Sequence, residues 1–126
     1  MRTRPAAPRR GHSLRMLLEQ RRRVVLDELH QVSLLLRSEP ASPVADEAEQ
    51  ASRALHLGLE SQRITQLTRT LQQIEDALSR HAIHRYGFCV ACGDTIPMRR
   101  LRSLPMTRHC RRCQECVEQR ASRRAA

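Results

Sequence analysis

Apolar positions in the first third of the chain fall on one helical stripe. Leu14, Leu18, Val25, Leu29, Val32 and Leu36 recur at spacings of three, four and seven residues, which places them on one face. Arg21 interrupts the stripe, where its alkyl stem can still cover apolar surface. Residues 14–37 contain neither Gly nor Pro and predict a helix about 35 Å long, with Ser13 as its N-cap. The stretch SEPASPV at 38–44 then stops it, because Pro40 and Pro43 cannot continue a helix without kinking or breaking it. A second helix is predicted from about residue 45 to about 84. Leu57, Ile64, Leu71 and Leu78 stand seven apart, with Leu67 and Ile74 in the alternate seam, the a/d repeat of a coiled coil. Glu60 and His81 extend this seam with polar groups, and Gly58 weakens the helix by up to ~1 kcal/mol against Ala. The short connection makes the two helices antiparallel neighbours. The second helix is the longer, so its far end must pack on the N-terminal part or on the segment that follows.

The expected organisation is therefore mainly α. Residues 1–12 form a flexible basic tail, 13–84 an antiparallel two-helix coiled-coil hairpin with its tip at about 38–51, and 85–126 a small four-cysteine zinc-finger domain with a C-terminal helix and basic tail. At 126 residues the chain is about one domain. It shows no apolar run long enough for a membrane span and no apolar stretch of a secretory signal. One Phe, one Tyr and no Trp exclude a large aromatic core or a base-stacking platform. Four Gly and few strand-forming runs argue against a dinucleotide-binding fold.

The charge changes the picture. The formal net charge is +10, and every basic residue among the 23 is arginine. Eight arginines and one glutamate lie within 1–24, and nine arginines and two glutamates within 98–126. Residues 38–61 instead carry five acids and one arginine. A plain nucleic-acid binder gains from basicity throughout its contact face, so an acidic middle needs another explanation. Acids favoured by the dipole at a helix start are one explanation; a functional acidic tip is the other.

All five cysteines lie beyond residue 88. Cys89-Val-Ala-Cys92 and Cys110-Arg-Arg-Cys113 give C-x2-C-x17-C-x2-C, in which each pair aims two thiolates at one ion. Four thiolates close the coordination sphere, so the zinc is structural and one ion is expected. Without a secretory signal a disulfide framework is disfavoured. Cys113-x2-Cys116 has the same spacing, but loop length favours Cys110 with Cys113 and leaves Cys116 as a spare thiol on the following helix. His109 is read as a surface histidine. No phosphate loop, metalloprotease spacing or Ser/His/Asp set is present, and acids at a hairpin tip lack the pocket that acid–base chemistry needs. No enzymatic activity is expected.

Tyr86-Gly87-Phe88-Cys89-x-x-Cys92-Gly93, then Ile96, Arg99-Arg100-Leu101, Pro105 and Cys110-x-x-Cys113, resemble the DksA/TraR family of bacterial transcription factors. The family's tip motif D-x-x-D-x-A is matched by Asp46-Glu47-Ala48-Glu49-Gln50-Ala51, in which Asp46 and Ala51 agree and Glu49 keeps the charge but adds a methylene. The resemblance implies a monomeric, cytoplasmic regulator that binds bacterial RNA polymerase without sequence-specific DNA binding or membrane attachment. Its coiled coil would enter the secondary channel, bringing Asp46, Glu49 and Ala51 toward the active-site region. Arg99, Arg100, Arg102, Arg111 and Arg112 are candidate contacts to polymerase or phosphate. Family members that build a guanosine-tetraphosphate site carry cations where this chain has Gln73, Leu104 and Gln114. That departure implies regulation independent of the nucleotide, unless Arg102, Arg111 and Arg112 compensate. The alternative function is a basic zinc-finger protein that binds nucleic acid, and a coiled coil that pairs with another protein is a third class.

Overall fold

The computed structural model describes residues 8–38 and 43–126, with side chains from residue 13 onward in the first of these segments. Four helices are described: α1 (Pro8–Ser38), α2 (Glu47–Ala82), α3 (Met98–Ser103) and α4 (Arg111–Ala125). Helix α1 starts at Pro8, not after Ser13, so the segment expected to be a tail is helical from that point. Proline suits a first helical position because its missing N–H would have no partner there. Residues 1–7 of the expected tail, and 39–42 of the expected tip, lie outside the described residues. Helix α2 begins at Glu47 and ends at Ala82, two residues inside the expected limit at each end. Helix α4 runs through the segment read as helix plus basic tail. No helix among the described residues is long and apolar enough to cross a membrane.

Helices α1 and α2 pack against each other as the seam requires. Leu18, Val25, Ile74 and Ala77 form a buried cluster, with Leu29, Leu67, Leu71 and Leu78 partly buried around it. Val32 is also buried, at 2 % exposure. Toward the tip the seam thins: Leu57 is 42 % exposed, and Leu34, Leu35, Leu55 and Leu59 are more open still. Stability from apolar burial, about 25 cal/mol per Å², is thus concentrated at the base of the hairpin.

At that base the longer helix meets the cysteine region. Helix α2 stops with Arg85 N–H bonded to the Arg80 carbonyl (2.8 Å) and His84 in the left-handed region at φ 58°. This is the wrap of a Schellman ending, in which glycine is the usual left-handed residue. Tyr86 and Met106 then pack on the hairpin cluster. Leu14 does not join that cluster. It packs instead with Cys89, Ile96 and Leu101, so the start of α1 helps build the core of the cysteine module.

A polar joint lies beside these contacts. Arg80 is buried, with its side chain 9 % exposed. Its Nε stands 3.2 Å from Asp76 Oδ2, at ion-pair distance but outside hydrogen-bond alignment. Its Nη1 donates to the Thr107 carbonyl at 3.4 Å. Arg108 reaches the same Asp76 oxygen at 3.4 Å. Asp76 therefore sits between an arginine of its own helix and one from the segment that leads to the second cysteine pair.

Candidate functional site

The first cysteine pair sits on a tight knuckle. Gly93 N–H bonds to the Cys89 carbonyl at 2.9 Å and Cys89 N–H to the Asp94 carbonyl at 2.8 Å. Gly93 takes φ 78°, a conformation that costs glycine nothing and other residues strain. An antiparallel bridge between Phe88 and Thr95 closes the knuckle. The second pair uses a helix start, with Cys110 as N-cap of α4 and Cys113 in its first turn. Val90 N–H, bonded to the Arg108 carbonyl at 2.9 Å, ties the two halves together.

This folding gathers the Sγ atoms of Cys89, Cys92, Cys110 and Cys113 within 4.8 Å of one another. Cys92 and Cys110 Sγ are 3.8 Å apart. A tetrahedral zinc with bonds of about 2.3 Å sets its sulfurs about 3.8 Å apart, so the cage has the size the ion requires. The electrostatics agree. Burial works against the Cys89 thiolate, but backbone N–H groups of Cys110, Cys92 and Ala91 outweigh it and bring its pKa down to about 6. The Cys113 thiol is pushed up to about 12 by its hydrogen bond to Cys110 and by burial, with Cys89 and Cys92 adding to the effect. The four cysteines are the ligand set of one structural zinc ion, which would hold the knuckle and the start of α4 together. Cys116 lies outside the cage, exposed on α4.

The tip acids are engaged locally. Asp46 is the N-cap of α2, its carboxylate accepting from Glu49 N–H at 2.8 Å. Asp46 and Glu49 have the spacing of a capping box, but the Glu49 carboxylate turns to Arg53 at 2.9 Å. Gln50 Nε2 donates to the Ala45 carbonyl at 3.0 Å and so braces the residue before the cap. Asp46, Glu47, Glu49 and Ala51 are all exposed. The helix-start explanation of these acids is realised, and it leaves their charge in water. The 36 residues of α2 carry them about 54 Å from the cysteine module.

Two open depressions flank the module. Gln73, Leu104 and Gln114 line one cleft of about 560 Å³ together with Arg100, Arg108 and Arg111. Of the three arginines expected to compensate there, Arg111 reaches the cleft, whereas Arg102 and Arg112 are not among its walls. Arg99, Arg100, Arg111 and Arg112 line a second groove of about 780 Å³. Arg102 is exposed on α3 and belongs to neither depression. Arg100 donates from Nε to the His109 carbonyl at 3.3 Å, and Arg111 pairs with Glu115 at 3.3 Å. The sequence reading did not single out Arg80 or Arg108. Asp76 and Arg80 at four-residue spacing were the available signal for an ion pair on α2.

Comparisons with known proteins fit this geometry. Residues 84–119 match the model of the prokaryotic dksA/traR C4-type zinc finger. The structure of transcription factor DksA2 from Pseudomonas aeruginosa superposes with a TM-score of 0.80 at 27 % identity, over 92 % of this chain and 88 % of that one. An RNA polymerase binding protein and transcriptional regulator, Dks from Chlamydia trachomatis, is 30 % identical over 61 % of this chain and 94 % of its own, with a TM-score of 0.40. An uncharacterized protein of Aquifex aeolicus is 45 % identical over 49 residues. The chain spans 34 % of the length of that curated relative, and the match takes in 39 % of this chain.

Proposed function

We infer, from the premise that this chain belongs to the DksA/TraR family, that it is a transcription regulator acting by binding bacterial RNA polymerase. The most direct support is the placement of Asp46 and Glu49 at the far end of a slender hairpin, with the zinc module and most of the arginines at the other end. A hairpin of this shape suits a narrow opening such as the secondary channel, where the tip would approach the active-site region. Carboxylates there would act by their field on the polymerase's own groups and stabilise or weaken promoter complexes without doing chemistry themselves. The regulator is monomeric, since one chain supplies both strands of its coiled coil, and as a partner of bacterial RNA polymerase it works in the cytoplasm and without catalysis of its own.

Because Asp46 is also the N-cap, the test must separate charge from folding. Asparagine caps a helix about as well as aspartate, so Asp46→Asn removes the charge and keeps the helix start. Core polymerase should retain this variant in a pull-down, while its effect on transcription in vitro is lost. Normal regulation by Asp46→Asn and Glu49→Gln together would refute the role of the tip.

The cleft lined by Gln73, Leu104 and Gln114 lacks three cations that a guanosine-tetraphosphate site uses, and losing charge-assisted bonds from such a site weakens it greatly. The regulator therefore acts independently of that nucleotide. Potentiation by the nucleotide on reconstituted polymerase, lost in an Arg108→Ala/Arg111→Ala variant, would refute this.

A further inference from the structure

The zinc module and the tip leave one basic element unexplained. Helix α4 buries no residue along its 15 positions. Its two sides differ. Gln114, Glu115 and Glu118 face the cleft shared with Gln73, and there Gln114 Nε2 donates to Glu118 at 3.0 Å. Arg112, Arg120 and Arg123 recur at i, i+8 and i+11 on the opposite side, with Arg124 at its edge. All four are exposed, and none has an ion-pair or hydrogen-bond partner among the described residues. Arg99 extends the same surface, since it and Arg112 line one groove.

We propose that this face of α4, Arg112, Arg120, Arg123 and Arg124 with Arg99 at its foot, binds the phosphate backbone of duplex nucleic acid without reading its sequence. This activity is separate from the binding of polymerase proposed above.

The chemistry selects the partner. Protein interfaces centre on aromatic and arginine anchors desolvated in well-packed apolar pockets, and α4 offers its arginines only Val117 as a large exposed apolar neighbour. Single strands are held by stacking on aromatic rings, and α4 has none. What remains is a row of guanidinium forks, the group that matches phosphate geometry. From Arg112 to Arg123 the row spans about 17 Å of helix, enough to follow several phosphates of a duplex, whose charge is denser than that of one strand. The helix dipole alone favours cations only in the last turn, which accounts for Arg123 and Arg124 but not for Arg120 or Arg112. Arg120, Arg123 and Arg124 lie farther from the cysteine cage than Arg112 does and are the three to substitute.

The test is fluorescence anisotropy of the zinc-loaded full chain with a labelled DNA duplex, without polymerase, across a salt series. Each phosphate neutralised adds about −0.9 to the slope of log K against log salt, so one contact from each of the five arginines predicts a slope of about −4.5. Arg120/Arg123/Arg124→Gln should weaken binding at least ~10-fold at low salt and make the slope shallower by about 2 to 3. The corresponding Lys variant should keep most of both. Arg21/Arg22/Arg23→Gln in α1 removes the same charge and should have a much smaller effect. Zinc content and helicity, read alongside, should match wild type in each. The proposal is overturned by absence of duplex binding at low salt, by equal loss in the α1 variant, or by polyglutamate that binds the chain as well as the duplex does.

Discussion

Tyr86 donates its phenolic hydrogen to the Pro105 carbonyl across 2.8 Å, joining the exit of α2 to the segment that leads into the second cysteine pair. Pro105 is fully buried, so its carbonyl has few other partners within reach. It is one of the contacts that tie the zinc module to the hairpin, beside those of Arg80 and Met106.

Removing that hydroxyl should loosen the joint. Tyr86→Phe is expected to cost about 1 to 2 kcal/mol, since it leaves an acceptor unpaired. The same hydroxyl gives a pH signature. Burial raises the Tyr86 pKa above its ordinary value of 10.0, with Arg80 opposing in part. The fold thus favours the neutral phenol, and its contribution is complete below pH 10 and is lost as pH rises through the higher native value. Tyr86 is the only tyrosine and there is no Trp, so phenolate absorbance should titrate above pH 10 in the native protein and near 10 in denaturant.

Zinc should bind one ion per chain, measured by native mass spectrometry. Cys92→Ser or Cys113→Ser should abolish stoichiometric binding, whereas Cys116→Ser should leave it unchanged. Chelation should unfold the module first and leave much of the hairpin helicity, because the hairpin has its own buried cluster around Leu18 and Ile74.

The arginines that share Asp76 should differ in weight. Arg80 is buried and Arg108 half exposed. Arg80→Ala is expected to cost roughly 2 to 3 kcal/mol in urea unfolding, through lost packing and a charge pair broken at a buried site. Arg108→Ala should cost less than about 1 kcal/mol, as exposed pairs do. Arg80→Met, which keeps the stem and removes the unpaired Nη2, should fall between them.

His84 holds the left-handed ending of α2 without the freedom of glycine. His84→Gly should stabilise the protein by about 0.5 to 1 kcal/mol, and Tm should rise by a few degrees. A fall in Tm would mean that the imidazole makes a contact worth more than the strain.

Much of the hairpin was legible in the chain because a coiled coil repeats. Leu57 to Leu78 mark the seam seven residues at a time, and the paired Cys-x2-Cys spacings mark the metal cage. The joint between the two was not legible. Nothing local to Leu14 distinguishes it from Leu18, yet one packs on Cys89 and Leu101 and the other on Ile74. That division depends on how the chain returns through Tyr86 and Pro105, which is long-range. Arg80 was obscured for a related reason: on a helix wheel it is an ordinary charged position, and its burial comes from a segment that arrives 27 residues later. Asp46 was read for its charge, and its cap bond to Glu49 adds a second function that any substitution there must preserve.

Leu14 also sets the sequence of events as the chain emerges from a ribosome. Helices α1 and α2 meet by closing only the short tip, a small entropic cost. The contact of Leu14 with Leu101 closes a loop that spans most of the chain and has to wait until α3 has been made. Until then the first turns of α1 have no core to join. The nascent hairpin is held by Leu18 and Ile74 while the start of α1 stays unpacked, and the arrival of α3 gives that start its core.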